Sequence, residues 1–273
     1  MDQPAHDTTK KPATAARIYD YYLGGIHNFP ADHAAARTLI QQFPCIPAVA
    51  RANRAFLRRA VSHLVGLGIR QFLDIGSGIP TAGNVHEIAQ ETAPDARVVY
   101  VDIDPMAVAE SLDILAGNEL ATAVQGDLRN PAGILGHPAV QRLLDLTEPV
   151  GLLLVSVLHF VPDDEQAYAA VTQLVDALPP GSHLVLSHAA SEAFDHLFAQ
   201  SADKLDVYRQ HTTTPGTSRT KAEVARFFTG LELVDPGLVR LGEWRPEPTE
   251  PDDTVDSDTV GGGGSWAGVA RKV

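Results

Sequence analysis

Apolar and polar positions follow two different rhythms along this chain. From Ala15 to about Gly66 the period is helical, interrupted by Gly24-Gly25, Pro30, Pro44 and Pro47. Pro47 opens a helix whose apolar positions are Val49, Phe56, Leu57, Val61, Leu64 and Val65. From about Ile69 short apolar runs alternate with helical stretches. The strand candidates are "RQFLDIG", "ARVVYVDI", "ATAVQGD", "VGLLLVSV" and "SHLVLSH". Between them stand the helix candidates "GNVHEIAQETA", "PMAVAESLDILAG", "PAGILGHPAVQRLLDL" and "DDEQAYAAVTQLVDALP". Near-continuous apolar strands suit a parallel sheet covered on both faces, so the alternation predicts a doubly wound, mostly parallel α/β sheet. The last third adds a helix, "SRTKAEVARFFTG", with Ser218 as its expected cap, and two further strands, "GLVRLGEW" and "SWAGVARKV". That makes seven strands.

The expected organisation is a disordered polar tail at 1–14, a helical segment at 15–66 and one α/β domain at 67–273. A Pro-, Gly- and acid-rich loop at about 246–264 interrupts that domain and is expected to be disordered.

Composition narrows the possibilities. The chain has 273 residues, 44% apolar and 20% charged, enough for one large domain with a substantial core. No apolar run approaches the roughly 20 residues that span a bilayer, and "MDQPAHDTTKKPATAAR" is no secretory signal. A single cysteine, Cys45, excludes an internal disulfide or cysteine-rich zinc site and fits a cytoplasmic protein. The net charge of −13 disfavours nucleic acid as a partner. The most basic run, "ARANRAFLRR", reads mainly as solvated surface carrying Arg51, Arg54, Arg58 and Arg59.

The candidate chemistry sits at the ends of the first three strands. "FLDIGSGIPTAGN" is a strand, a glycine turn and a helix start, in which Gly76 and Gly78 allow close backbone approach to a ligand. A dinucleotide fingerprint needs a third glycine where Thr81 stands. The second strand ends in "VYVDIDP", with Asp102 placed to accept from ribose hydroxyls and Asp104 beside it; the third ends at Asp127. Three acids, Asp74, Asp102 and Asp127, tolerate a cationic nucleoside and repel a pyrophosphate. S-adenosylmethionine fits that charge pattern and NAD does not.

These residues resemble an actinobacterial family of S-adenosylmethionine-dependent methyltransferases with a class I, Rossmann-like fold. The resemblance runs from about Ala15 to Lys272 and is carried by "ARIYDYYLGG", "NRAFLRRAV", "QFLDIGSGIPT", "NVHE", "VDIDP", "LLLVSVLHFVPD", "SRTKAEVARFF", "GLELVDPGLV" and "GVARK". It implies cofactor contact at Asp74, Gly76 and Gly78, ribose binding at Asp102 with Asp104 close by, and adenine-edge contact at Asp127 and Leu128. It places Ser156 of "SVLHF" in the methyl channel. It makes 15–66 an N-terminal helical lid, with Tyr19 and Tyr22 reaching the cofactor. Two segments depart from the family pattern. Ile26-His27 stand where a Lys-Asp pair is usual, and Ile103 stands where Asn is usual.

Methyl transfer from a sulfonium needs in-line alignment and exclusion of water, and needs a base only where the nucleophile must lose a proton. His159 and His188, after the fourth and fifth strands, are the candidate bases, with His27 a third. No His/Cys cluster has metal-ligand spacing, so no metal is expected. The expected function is S-adenosylmethionine-dependent O- or N-methylation of a small molecule. The alternative is a non-catalytic protein that binds S-adenosylmethionine or S-adenosylhomocysteine. The expected partners are a small-molecule acceptor and, at most, a second copy in a homodimer, with no membrane.

Overall fold

The computed structural model describes residues 12–80, 83–192, 216–247 and 264–273. The tail at 1–11 and most of the acidic loop, 248–263, both expected to be disordered, lie outside the described residues.

Three helices come first: α1 (Ala15–Tyr22), α2 (Pro30–Gln42) and α3 (Ile46–Gly66). The alternating part follows as β1 (Gln71–Ile75), α4 (Val85–Thr92), β2 (Arg97–Asp102), α5 (Pro105–Ile114), β3 (Ala121–Gln125), α6 (Pro131–Leu135), α7 (Pro138–Leu143), β4 (Gly151–Val155), α8 (Asp164–Asp176) and β5 (His183–Ala189). The chain closes with α9 (Lys221–Arg226), β6 (Glu232–Leu233), β7 (Val239–Arg240) and β8 (Ser265–Arg271).

The strands form one sheet in the order β3-β2-β1-β4-β5-β8-β6, with β7 also paired to β8. The first five strands are parallel, and β8 runs antiparallel to β5, β6 and β7. Among the described residues, eight strand segments therefore stand where seven are expected. "GLELVDPGLVR" supplies two pairings of two residues each, too short for an alternating pattern to show. The expected long helix from Pro131 is broken at Gly136-His137-Pro138 into α6 and α7. The cap of α9 is Thr220, not Ser218: Thr220 and Glu223 bond each other's backbone amides in a capping box.

Period-two alternation divides the apolar side chains between two layers. Leu73, Ile75, Val99, Val101, Leu152, Leu154, Leu184 and Leu186 face α6 to α9. Phe72, Val98, Tyr100, Leu153 and Val185 face α3 and α4, where Phe56, Leu57, Val61 and Leu64 are buried. The segment 15–66 is therefore two things. α3 belongs to the core of the sheet, while α1 and α2 share a small cluster of their own, built on Ile18, Ala35, Ala36 and Leu39. Strand order reverses between β1 and β4, so the carboxyl ends of those strands open the crevice where open α/β sheets bind ligands.

Candidate functional site

At the crevice the chain leaves β1 by folding back on β2: the amides of Gly76 and Ser77 both donate to the Val101 carbonyl, at 2.7 and 3.2 Å. Gly76 and Gly78 have φ of +75° and +63°, which favour glycine. Their surroundings differ. A Cβ on Gly76 would collide with Val157, whereas one on Gly78 would meet nothing nearer than Ala16 of α1, at 3.9 Å. Gly78 is the open position of the turn and α1 lies over it.

Asp102, 9% exposed, ends β2. One of its oxygens accepts from the Gly78 amide at 2.8 Å and the other from the Asp104 amide at 2.9 Å. The Ile103 amide also bonds this carboxylate, and of its four lone pairs one stays available to a ribose hydroxyl. Burial raises the pKa of this carboxyl, and the Asp104 and Gly78 amides oppose the rise. Asp104 caps α5 by accepting from the Met106 amide at 2.9 Å. Its other oxygen lies 3.5 Å from Arg17 of α1, whose buried guanidinium also bonds Asp32 of α2 at 2.8 Å.

Asp74 is buried beside this turn, in register with Tyr100 of β2. Burial pushes its pKa up to about 7; the Arg54 guanidinium lowers it and the Asp102 carboxylate raises it. The basic run on α3 is thus not all surface. Arg54 donates to the Gly83 carbonyl beyond the glycine turn, at 2.6 Å. Arg59, 5% exposed, donates to the carbonyls of Trp244 and Leu241, while Arg51 is exposed.

Asp127 is held by Arg129 in a two-pronged pair, at 2.9 and 2.7 Å, which lowers its pKa. The Leu128 side chain is packed in the core, so an adenine edge could reach that residue only through its backbone. Ser156, at the end of β4, has φ of +60°, a strained value for a residue with a side chain.

The Tyr19 hydroxyl donates to the Ala50 carbonyl at 3.1 Å and accepts from the Asn53 amide at 2.9 Å. Tyr22 packs against the α1–α2 cluster. Sequence reading missed Asp20, whose buried carboxylate accepts from the His27 amide at 2.9 Å and from the Asn28 side chain at 2.6 Å. A Cβ on Gly25 would stand 2.0 Å from that carboxylate, so the second glycine of "LGG" makes room for Asp20. At the altered pair, His27 lies 3.8 Å from Glu110 of α5 and Ile26 is 86% exposed.

His188 is corrected as a base. It is fully buried, its Nε2 accepts from Arg219 at 2.7 Å, and its Nδ1 donates to the Ala189 carbonyl at 2.9 Å. Both nitrogens are committed, and burial lowers its pKa to about 4. Arg219 spends its remaining donors on Asp164, Leu158 and Val161. His159 lies 6.0 Å from His188, ring to ring, and its buried Nδ1 has no hydrogen-bond partner among the described residues. Burial, then His188 and Arg219, lower its pKa to about 3, so it is a neutral imidazole and a weak base. Among the described residues no group of three or more His, Cys, Asp or Glu could hold a metal, and no helix is long and apolar enough to cross a membrane.

A glycine turn at the switch point, an acid at the end of β2 and a sheet closed by an antiparallel strand define a Rossmann-like methyltransferase fold. A solved S-adenosylmethionine-dependent methyltransferase from Anabaena variabilis shares that fold at a TM-score of 0.50 and 13% identity, over 74% of this chain and 77% of its own. The chain belongs to the S-adenosyl methyltransferase family, whose profile matches residues 2–273. The cofactor of the family is S-adenosylmethionine. A DUF574-family protein from Streptomyces avermitilis is 40% identical with a TM-score of 0.88, over 97% of this chain and all of its own. A candidate methyltransferase from Thermobifida fusca is 37% identical with a TM-score of 0.87, over 100% of this chain and 99% of its own. Comparison with curated proteins finds none that matches.

The residues present fit such a cofactor. Gly78 leaves the turn open beside Asp102, whose carboxylate could accept from the hydroxyls of a ribose there.

Proposed function

We propose that this protein transfers a methyl group from S-adenosylmethionine to oxygen or nitrogen of a small molecule. The observation that supports the reading is the Asp102 carboxylate, fixed by backbone amides at the switch point with a lone pair to spare. The cofactor supplies an electrophilic methyl on a sulfonium. What the chain supplies is binding and alignment: Asp102 for the ribose, Gly76 and Gly78 for close approach, Ser156 at the methyl channel, and α1 to exclude water.

The chemistry of His159 bears on the acceptor. A neutral imidazole whose pKa is about 3 can orient an acceptor by a hydrogen bond but deprotonates a hydroxyl poorly. A neutral amine or an oxygen already ionised needs no such step, and acceptors of that kind suit the site best. The same observation favours a second reading, a cofactor-binding protein without turnover.

Calorimetric titration with S-adenosylmethionine, S-adenosylhomocysteine and NAD tests the cofactor. Micromolar binding of the two sulfur ligands and none of NAD supports the reading, and binding of neither sulfur ligand removes it. Release of S-adenosylhomocysteine across a panel of amines, carboxylates and phenols then separates enzyme from binding protein.

A further inference from the structure

We infer that Asn53 is a positioning residue for the methyl-donor site, joining the lid helix α1 to the strained turn at Ser156 through one hydrogen-bonded chain. The inference rests on the cofactor reading proposed above and adds to it a residue that touches neither cofactor nor acceptor.

The chain has four side chains or amides and a single polarity. The Ser156 amide donates to the Ser187 hydroxyl at 3.0 Å, and that hydroxyl donates to Asn53 Oδ1 at 2.6 Å. Asn53 Nδ2 donates to the Tyr19 hydroxyl at 2.9 Å, which donates to the Ala50 carbonyl at 3.1 Å. Each hydroxyl accepts once and donates once. The amide at the centre accepts on one side and donates on the other, which fixes its orientation.

Asparagine meets that demand and its close relatives do not. Aspartate would present two acceptors and a buried charge, and leucine would leave both hydroxyls short of a partner. Asn53 is 3% exposed and Ser187 is fully buried, so water cannot take the place of the lost bonds cheaply. The residues come from α1, α3, β5 and the turn after β4, which are otherwise distant in sequence: 134 positions separate Ser187 from Asn53 and 34 separate Asn53 from Tyr19.

What the chain holds is specific. The Ser156 amide also donates to the Ser187 carbonyl, at 3.2 Å, so its left-handed backbone is clamped from β5. Strained backbone persists only where its surroundings over-determine it. Here one of the clamps continues through Asn53 into α1, the helix whose Ala16 covers Gly78. Docking of α1 and the shape of the Ser156 turn are thereby parts of one arrangement.

The test uses Asn53→Leu, Tyr19→Phe, Ser187→Ala and the Tyr19→Phe/Ser187→Ala double variant, each in the full chain. Hydrogen exchange without ligand is read over residues 14–23 and 152–158, and S-adenosylhomocysteine affinity by calorimetry. Tyr19→Phe is expected to speed exchange at 152–158, and Ser187→Ala to speed it at 14–23. Each single variant should weaken S-adenosylhomocysteine binding by roughly three- to tenfold, with the double variant no worse than the weaker-binding single. Exchange changes confined to the mutated element would overturn the inference, as would additive losses of affinity. Lowered melting temperature with unchanged affinity would make the chain purely structural and would also overturn it. If the wild type binds no S-adenosylhomocysteine, the cofactor reading falls, and the linkage is decided by exchange alone.

Discussion

A Cβ atom on Gly76 would stand 2.1 Å from Cγ2 of Val157. The first glycine of the turn is therefore demanded by the protein's own packing between β1 and β4, as well as by its φ of +75°. Gly78 carries only the conformational demand. Gly78→Ala should cost about 1 kcal/mol of stability, whereas Gly76→Ala should cost about 3 kcal/mol or more, part of it recovered by Val157→Ala. Urea unfolding of the four proteins checks this. Equal costs at the two glycines would mean that Val157 yields freely and that the turn is shaped by the ligand alone.

Asp74 gives a pH dependence. Burial lifts its pKa from 3.8 to about 7, so the folded protein holds a proton that the unfolded chain releases above about pH 4. Stability therefore falls as pH rises from about 4 to 7, and the loss is complete above 7. Asp74→Asn removes the titration, and its unfolding free energy should match the wild type near pH 4 and exceed it at pH 8 by up to about 4 kcal/mol, as urea unfolding at the two pH values would show. A constant difference across that range would show that Asp74 is ionised in the fold throughout.

The sequence made some of this visible and concealed the rest. The placement of Asp74, Asp102 and Asp104 at the carboxyl edge of the sheet is legible because an acid near the end of an apolar run is a local pattern. Asn53 was legible in principle: it stands four residues after Val49 and four before Leu57, on the apolar stripe of α3 where a polar residue needs a buried partner. Arg59 reads as surface in the sequence because a basic run at helical spacing looks the same whether its partners are water or backbone carbonyls far along the chain. His188 looked like a base for the same reason. Its partner, Arg219, lies 31 residues away, and only the fold brings them together.

Asp102→Ala should weaken binding of S-adenosylmethionine by about 1–3 kcal/mol, because buried ribose hydroxyls lose a charged acceptor. The structure adds a second consequence, since the same substitution releases the Gly78 and Asp104 amides. Asp102→Asn keeps one acceptor oxygen and should fall between wild type and alanine in a calorimetric series. Unchanged affinity in Asp102→Ala would place the ribose elsewhere.

Arg17 is the buried cation that ties α1 to Asp32 and reaches Asp104, with its guanidinium 5.3 Å from the centre of the Phe29 ring. Removing one partner of a buried pair costs about 3–5 kcal/mol where the other charge stays buried. Because α1 and α2 have their own apolar cluster, Arg17→Leu should loosen them locally and leave the sheet intact. Limited proteolysis should then cut within residues 15–42 while the cooperative melt of the sheet persists. A single lowered melt with no local cleavage would show that these helices unfold only with the core.

Deleting residues 1–44 puts the lid to the strongest test. The cut removes α1 and α2 but keeps α3, whose Phe56, Leu57, Val61 and Leu64 are built into the sheet's core. What is lost is Ala16 over Gly78, Arg17 beside Asp104 and Tyr19 at the end of the Asn53 chain. None of these fills the two main apolar layers, so the truncated protein should still melt cooperatively and keep its circular dichroism. Its affinity for S-adenosylhomocysteine should fall at least about tenfold, since a turn open to water binds through fewer and better-solvated contacts. Aggregation on truncation would mean that α1 and α2 shield core surface, and undiminished affinity would mean that they cover the crevice without contributing to binding.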